Sequence, residues 1–251
     1  MASSNLNNAV KKAKAQSVDP TTLLIERKLT SLFMAPRHDK EDRKGLHASA
    51  IIASPNSYCM REQLLSVLFK RNKEENATVA PSLLRIFEQG NVIHEKWQDL
   101  FTRNGIAVGI EDRGYSPLLD LYMTPDAIIR LNNKLYVVEI KSANTFSFKH
   151  MTDSHPSGTK QLQLYMHFLC IPHGFVLVED KNDQNIKIFP VEYEPGQARP
   201  YVERLYEIKA AKKRYEETGE LPVRMCNKYG CKRAQACAMC DACFNKNREP
   251  L

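Results

Sequence analysis

The sequence is poor in several features that would decide its class at once. It has a single tryptophan, and aromatic residues make up only 8% of its 251 positions. No apolar run approaches the roughly 18–20 residues that span a bilayer, which excludes a helical membrane protein. Met1 to Lys14 is polar and lacks the apolar core of a secretory signal, so a cytoplasmic, intracellular protein with no membrane partner is expected. No Gly-x-x-x-x-Gly-Lys-Ser/Thr phosphate loop is present, which excludes a P-loop ATPase. Internal repeats and long low-complexity tracts are also lacking.

What is present is a globular chain, 43% hydrophobic, with a formal net charge of +7. An excess of positive charge suits a polyanionic partner such as nucleic acid. The basic residues are spread out: Lys149, His150 and Lys160; Lys209, Lys212, Lys213 and Arg214; Lys228, Lys232 and Arg233. They are placed to track phosphates without reading sequence, and the late group reads equally well as a solvated helix face. Of seven cysteines, Cys226, Cys231, Cys237, Cys240 and Cys243 crowd one short segment. In an intracellular chain such crowding points to a metal or cluster rather than disulfides. Cys170, at an apolar helix end, reads as plain core.

Periodicity gives a mixed α/β order of helix, strands, helix, strands, helix. A short helix is expected within residues 20–34, and a charged linker from Arg37 to Lys44. A helix begins near Ser57, read as its N-cap. A second runs from Ser82 to Arg103, with Leu83, Ile86, Phe87, Gly90, Ile93, Trp97, Leu100 and Phe101 as one buried stripe and His94 on it. Strands are expected over Ile106–Ile110, Leu121–Leu131 and Leu135–Lys141, with Asn132-Asn133 as a hairpin turn. A helix over 158–169, strands at Phe175–Val178 and Ile186–Val191, and a polar helix from Ala198 to Thr218 follow. Between them, Asp153 to Gly158 reads as a mobile loop able to gate a DNA strand. The chain divides into a tail and short helix (1–45), a core (46–220) and a cysteine-rich, metal-binding segment (221–251).

On a strand, alternate residues share a face, so Glu139 and Lys141 point one way and Val138 and Ile140 the other. Two charges inside an apolar strand are costly unless they are paired or bind an ion. Pairing the hairpin strands brings Asp126 near Glu139. Two carboxylates at one point repel, and a divalent cation with hard oxygen ligands relieves them. Such an ion acidifies water and stabilises a phosphate in flight, with Lys141 beside it. The competing reading is an ordinary Glu–Lys face on a surface hairpin.

Four pieces occur in order: Gly90-Asn-Val-Ile-His94, Thr124-Pro-Asp126, Glu139-Ile-Lys141-Ser142 and Gln161-Leu-Gln-Leu-Tyr165. Together they resemble the RecB-like exonuclease branch of the PD-(D/E)XK nuclease superfamily, which includes CRISPR-associated RecB-like exonucleases and many phage exonucleases. The likeness spans about residues 50–243. It implies a restriction-endonuclease-like core with a mixed central sheet flanked by helices. It implies hydrolysis of DNA with Mg²⁺ or Mn²⁺, from single-stranded or free ends, in recombination, repair or phage DNA processing. By that likeness Asp126, Glu139 and Lys141 are catalytic. His94, Asp126, Glu139 and the backbone carbonyl of Ile140 are the metal ligands, and the nitrogen ligand leans the site toward Mn²⁺. Gln161 and Tyr165 contact DNA or support the site, and Gln163 faces elsewhere. Unwinding is left to a helicase or recombination partner. Where family members often carry Gly before the aspartate, this chain has Met123-Thr124-Pro125.

A subset of that family holds a 4Fe–4S cluster on one cysteine before the core and three after it. Pro55-Asn-Ser-Tyr-Cys59-Met-Arg61 resembles the first piece, and Cys226, Cys231 and Cys237 the second. Cys240 and Cys243 are alternates, and zinc on four thiolates is the rival occupant. A non-catalytic DNA-binding scaffold and a sequence-specific endonuclease are the competing functions.

Overall fold

The computed structural model describes residues 24–25, 27–29, 45–69, 80–153 and 155–245. It divides into two compact units, residues 1–41 with 79–87, and residues 42–78 with 88–251. The helix expected over 20–34 and the linker after it fall almost wholly outside the described residues.

The second unit is mixed α/β. Its main sheet has the order β2 (Ala107–Ile110), β5 (Ala127–Leu131), β6 (Lys134–Ala143), β7 (His173–Asp180), β8 (Ile186–Glu192). All neighbours are antiparallel except β6 and β7, which run parallel. A smaller sheet joins β1 (Leu46–His47), β4 (Leu121–Met123) and β3 (Gly114–Ser116). The second unit's described helices are α1 (Ala48–Ile51), α2 (Met60–Leu68), α3 (Pro81–Arg103, of which residues 81–87 belong to the first unit), α4 (Thr145–His150), α5 (Pro156–Leu169), α6 (Pro195–Thr218), α7 (Lys232–Gln235) and α8 (Cys240–Cys243). Among the described residues no helix is long and apolar enough to cross a membrane.

The β5–β6 hairpin follows from its turn. Asn132 and Asn133 both take positive φ, 48° and 63°, which a two-residue turn between twisted strands requires and asparagine tolerates. That turn fixes the register Leu131↔Lys134 through Ala127↔Val138. A parallel neighbour needs a crossover, and α4 with α5 supply it between β6 and β7. Strand β6 is therefore covered on both sides, and Val137, Val138, Glu139 and Ile140 are all buried. Val138 and Ile140 pack with Ile93, Phe101 and Leu177. Val137 packs with Leu162, Met166 and Val176 on the α5 side.

Gly174 on β7 is where the α5 layer, β6 and β7 meet. A Cβ there would lie 2.7 Å from the Val137 carbonyl oxygen and 3.2 Å from Met166 Sδ. Backbone cannot yield as a flexible side chain does. Gly174→Ala is expected to cost about 1–3 kcal/mol and to lower the melting temperature by about 3–10 °C in thermal unfolding.

The structure corrects several expectations. The Leu121–Leu131 run is two strands in two sheets, because Thr124-Pro125-Asp126 interrupts it and Pro125 has no N–H for a ladder. The helix expected from Ser57 starts at Met60 with Cys59 as N-cap, since Ser57 closes a turn on the Ser54 carbonyl at 2.8 Å. On α3 the buried stripe is shorter than expected. Leu83, Ile86, Phe87 and Leu100 are exposed, and the sheet-side cluster takes only Ile93, Trp97 and Phe101. Pro156 to Gly158 belong to α5 rather than to a gating loop, because proline with its fixed φ starts the helix. Ser154 lies outside the described residues. Cys170 is exposed, in the left-handed position that ends α5, and is not core.

Candidate active site

Asp126 stands one step beyond the last β5–β6 pair, so the register places it across from Glu139. Its Oδ2 accepts the Ile140 amide at 2.6 Å, and the side chain continues the ladder where the strand ends. The Asp126 carbonyl accepts from Gln98 Nε2 at 3.0 Å, and the same amide donates to Glu111 Oε1 at 3.1 Å. His94, on α3 four residues before Gln98, puts Nδ1 3.3 Å from Asp126 Oδ1. Lys141 Nζ donates to Glu139 Oε1 and, at 3.3 Å, to Gln161 Oε1. One point thus gathers Glu139 and Lys141 from β6, His94 from α3, Gln161 from α5 and Asp126 from the turn before β5.

The charges there are strained. Glu139 is 2% exposed. Burial, then the Asp126 charge, pushes its carboxyl up to about 7, against the pull of Lys141 and His94. His94 is raised too: burial opposes its charge, and the Asp126 hydrogen bond and charge outweigh burial. Tyr165 lies one turn beyond Gln161 and hydrogen-bonds with it, and burial followed by the Glu139 charge raises its phenol. Gln163 turns away, donating to the Glu192 carbonyl at 2.8 Å and accepting from the Glu194 amide at 2.9 Å.

Do these residues fit a divalent cation? Two carboxylates converge with an imidazole, and one carboxyl is held near neutrality by burial and by the Asp126 charge. That donor set suits a hard-to-borderline ion. Among the described residues no three such groups already stand at the spacing of one ion. Lys141 occupies the Glu139 carboxylate and supplies its positive charge.

Sequence reasoning missed several supports. Gly158 gives α5 its close approach: a Cβ there would meet both Val176 methyls at 3.1 Å and Glu139 Cγ at 3.7 Å. Gln98 carries no signal beyond its helical spacing from His94. Buried Glu179 accepts from Lys96 Nζ and Trp97 Nε1, both at 2.6 Å, and pins α3 to β7. Of the late basic residues, Lys212 pairs with Asp120 at 2.6 Å and Lys213 with Glu217 at 3.8 Å.

The cysteine segment folds back on α2. Leu65 and Phe69 pack with Met239 and Ala242. Two arginines clamp it. Arg61 donates to the Pro222 and Cys243 carbonyls at 2.8 and 3.1 Å, and Arg233 donates to the Asn56 and Ser57 carbonyls at 2.7 and 3.0 Å. Cys226 hydrogen-bonds with Cys231, and burial, then Cys231, Cys243 and Cys59, pushes its thiol up to about 11. Cys237 hydrogen-bonds with Glu62, and burial followed by the Glu62 charge pushes it up to about 12. Among the described residues no three of these thiols stand at the spacing of one ion.

No family model matches this chain, and no curated protein does. Solved structures do match. The crystal structure of SSO0001 aligns at 14% identity and TM-score 0.46, over 88% of this chain and 95% of that one. An alkaline exonuclease, LHK-Exo, from Laribacter hongkongensis aligns at 14% identity and TM-score 0.46, over 70% of this chain and 93% of its own. Its complex with dAMP aligns at 14% identity and TM-score 0.48, with the same coverage.

Proposed function

We propose that this chain is a metal-dependent deoxyribonuclease of the PD-(D/E)XK type, working as an exonuclease on single-stranded DNA ends. The observation that carries the reading is the buried Glu139, facing Asp126 and held by Lys141 on a strand walled by α5. A carboxylate pushed toward neutrality by burial and by its neighbour has no structural benefit, and strongly perturbed groups concentrate at functional sites.

His94, Asp126, Glu139 and the Ile140 carbonyl would hold Mg²⁺ or Mn²⁺. Such an ion supplies positive charge for the phosphate and acidifies the attacking water. The protein's own residues do the rest. Lys141 offers ammonium protons to that water or to a phosphate oxygen, and Gln161 holds the ammonium in place. Tyr165, raised well above neutrality, keeps its proton and serves as a donor. The Ile140 amide fixes the Asp126 carboxylate, so its second oxygen faces His94 and the site. Basic residues around the site track the DNA backbone, and a partner helicase supplies any unwinding.

End-labelled linear single strands and closed single-stranded circles, each with Mn²⁺ or Mg²⁺, test this. Linear DNA is expected to be degraded and circles spared. Cutting of circles would show an endonuclease, and inertness toward both with DNA still bound would show a scaffold.

For the second centre, Cys59, Cys226, Cys231 and Cys237 are the proposed ligands, with Cys240 and Cys243 as alternates; Arg61 and Arg233 hold the C-terminal segment against the stretch that carries Cys59. They would hold a 4Fe–4S cluster, or zinc, stapling the C-terminal segment to α2. Cys59→Ser is expected to lose the centre and to lower melting by on the order of 5 °C. Metal analysis of the purified protein checks this: iron with a brown chromophore identifies the cluster, and zinc without colour its rival.

A further inference from the structure

The first turn of α5 holds a polar pair that the mechanism above does not use. His155 Nδ1 and Ser157 Oγ are 2.9 Å apart. His155 is the residue before the helix, where a side chain commonly caps the free amides, yet its side chain makes no cap hydrogen bond. Its other ring nitrogen, Nε2, has no hydrogen bond among the described residues. The ring is half-buried.

Its position gives it a use. Helical neighbours recur at three and four residues. His155, Gly158, Gln161 and Tyr165 follow that spacing and form one row along α5. Three members of the row already face the site. Gly158 lies against Glu139, Gln161 accepts from Lys141, and Tyr165 hydrogen-bonds with Gln161. His155 is the next step of the row, one turn beyond the contact with Glu139. Burial, then the Lys141 charge, pushes its pKa below the usual histidine value, so the ring is neutral near pH 7. Nδ1 can accept from the Ser157 hydroxyl or donate to it; in the first arrangement the neutral ring carries its own proton on Nε2. A phosphate, which only accepts hydrogen bonds, is the matching ligand.

We propose that His155 is a phosphate-contacting residue of this site: Ser157 fixes the ring, and the Nε2 proton is donated to a non-bridging oxygen of the DNA backbone bound beside Lys141. The proposal rests on the nuclease reading for the identity of the ligand. It assigns to α5 a contact one turn upstream of the Gln161–Tyr165 pair, and it makes the Ser157 hydroxyl a positioning group.

The test uses a labelled single-stranded oligonucleotide and the full chain. Binding is measured by anisotropy in a Glu139→Gln background, and turnover in the wild-type background. His155→Ala is expected to weaken binding about tenfold, as loss of a hydrogen bond to a charged group does. Ser157→Ala weakens it less. His155→Gln, which keeps an N–H donor of similar reach, recovers part of the loss, whereas a packing defect would not respond to that donor. A neutral donor releases no counterion, so the salt dependence of binding keeps its slope. Equal DNA affinity and equal turnover in His155→Ala and its parent would overturn the proposal, as would a loss that His155→Gln does not relieve. If the wild type cuts no DNA but His155→Ala still weakens binding, the contact stands and the nuclease reading falls. If the wild type neither cuts nor binds DNA, both fall.

Discussion

Glu139→Gln is expected to abolish DNA hydrolysis, lowering kcat by about a thousandfold or more while DNA affinity changes little. The substitution keeps shape and hydrogen-bonding reach but removes the charge that would hold the cation. Metal-assisted charge stabilisation supplies several kcal/mol of barrier lowering, and each 1.4 kcal/mol is about tenfold in rate. Asp126→Asn is expected to match it, because the two carboxylates act on one ion. The double variant is then expected to be no worse than either single one, as for residues that work as a unit. Lys141→Ala differs in kind. Its ammonium bridges Glu139 and Gln161, so its loss lowers turnover without removing a metal ligand, and raised metal concentration does not rescue it. Rescue of Asp126→Asn, but not of Lys141→Ala, by high Mn²⁺ is the pattern that separates ligand from helper.

The same glutamine is expected to stabilise the metal-free protein above neutral pH. Glu139 has a folded pKa raised to about 7 from an ordinary 4.5. Between those values the folded state binds more protons than the unfolded one, so stability falls as pH rises through that window. Above it, the folded protein carries the full penalty of a buried charge near Asp126, roughly 3 kcal/mol. Glutamine removes that dependence. Denaturant unfolding at pH 5 and pH 8, in buffer free of Mg²⁺ and Mn²⁺, is expected to show wild type losing roughly 3 kcal/mol more than Glu139→Gln. Added Mn²⁺ reverses the order at pH 8, since binding stabilises the ionised carboxylate and only wild type binds well. Equal pH dependence in the two proteins would mean that Glu139 is not held near neutrality. The site in this view is an unstable arrangement that the cation completes, which is a common bargain between stability and activity.

The residues at the heart of the candidate site were readable from sequence because a strand has period two and a short turn has few solutions. Alternation alone put Glu139 and Lys141 on one face, and the Asn132-Asn133 turn set the register that brings Asp126 opposite. The order of the four short motifs named His94, Gln161 and Tyr165. What sequence did not carry was proximity made by the crossover. Gly158 and His155 lie in a stretch read as loop, and only the packing of α5 on β6 and β7 brings Gly158 against Glu139, with His155 one turn before it. The short elements β1, β3, α1 and α4 were missed because a few residues hold too little periodicity to register. Pro125 also makes the chain pass from one sheet to the other just before Asp126, which local sequence pattern does not encode. The buried stripe on α3 ends sooner than its periodicity extends, because periodicity marks which face is apolar and not how far a neighbour covers it.

Hydrolysis of an end-labelled single strand by wild type and by Glu139→Gln, side by side in Mn²⁺ and in chelator, is the most direct measurement. Degradation by wild type in Mn²⁺ alone, absent in chelator and absent in Glu139→Gln, is the expected result. Degradation that persists in Glu139→Gln, or a wild type that binds the strand in Mn²⁺ and leaves it intact, would contradict a hydrolytic centre at Asp126, Glu139 and Lys141.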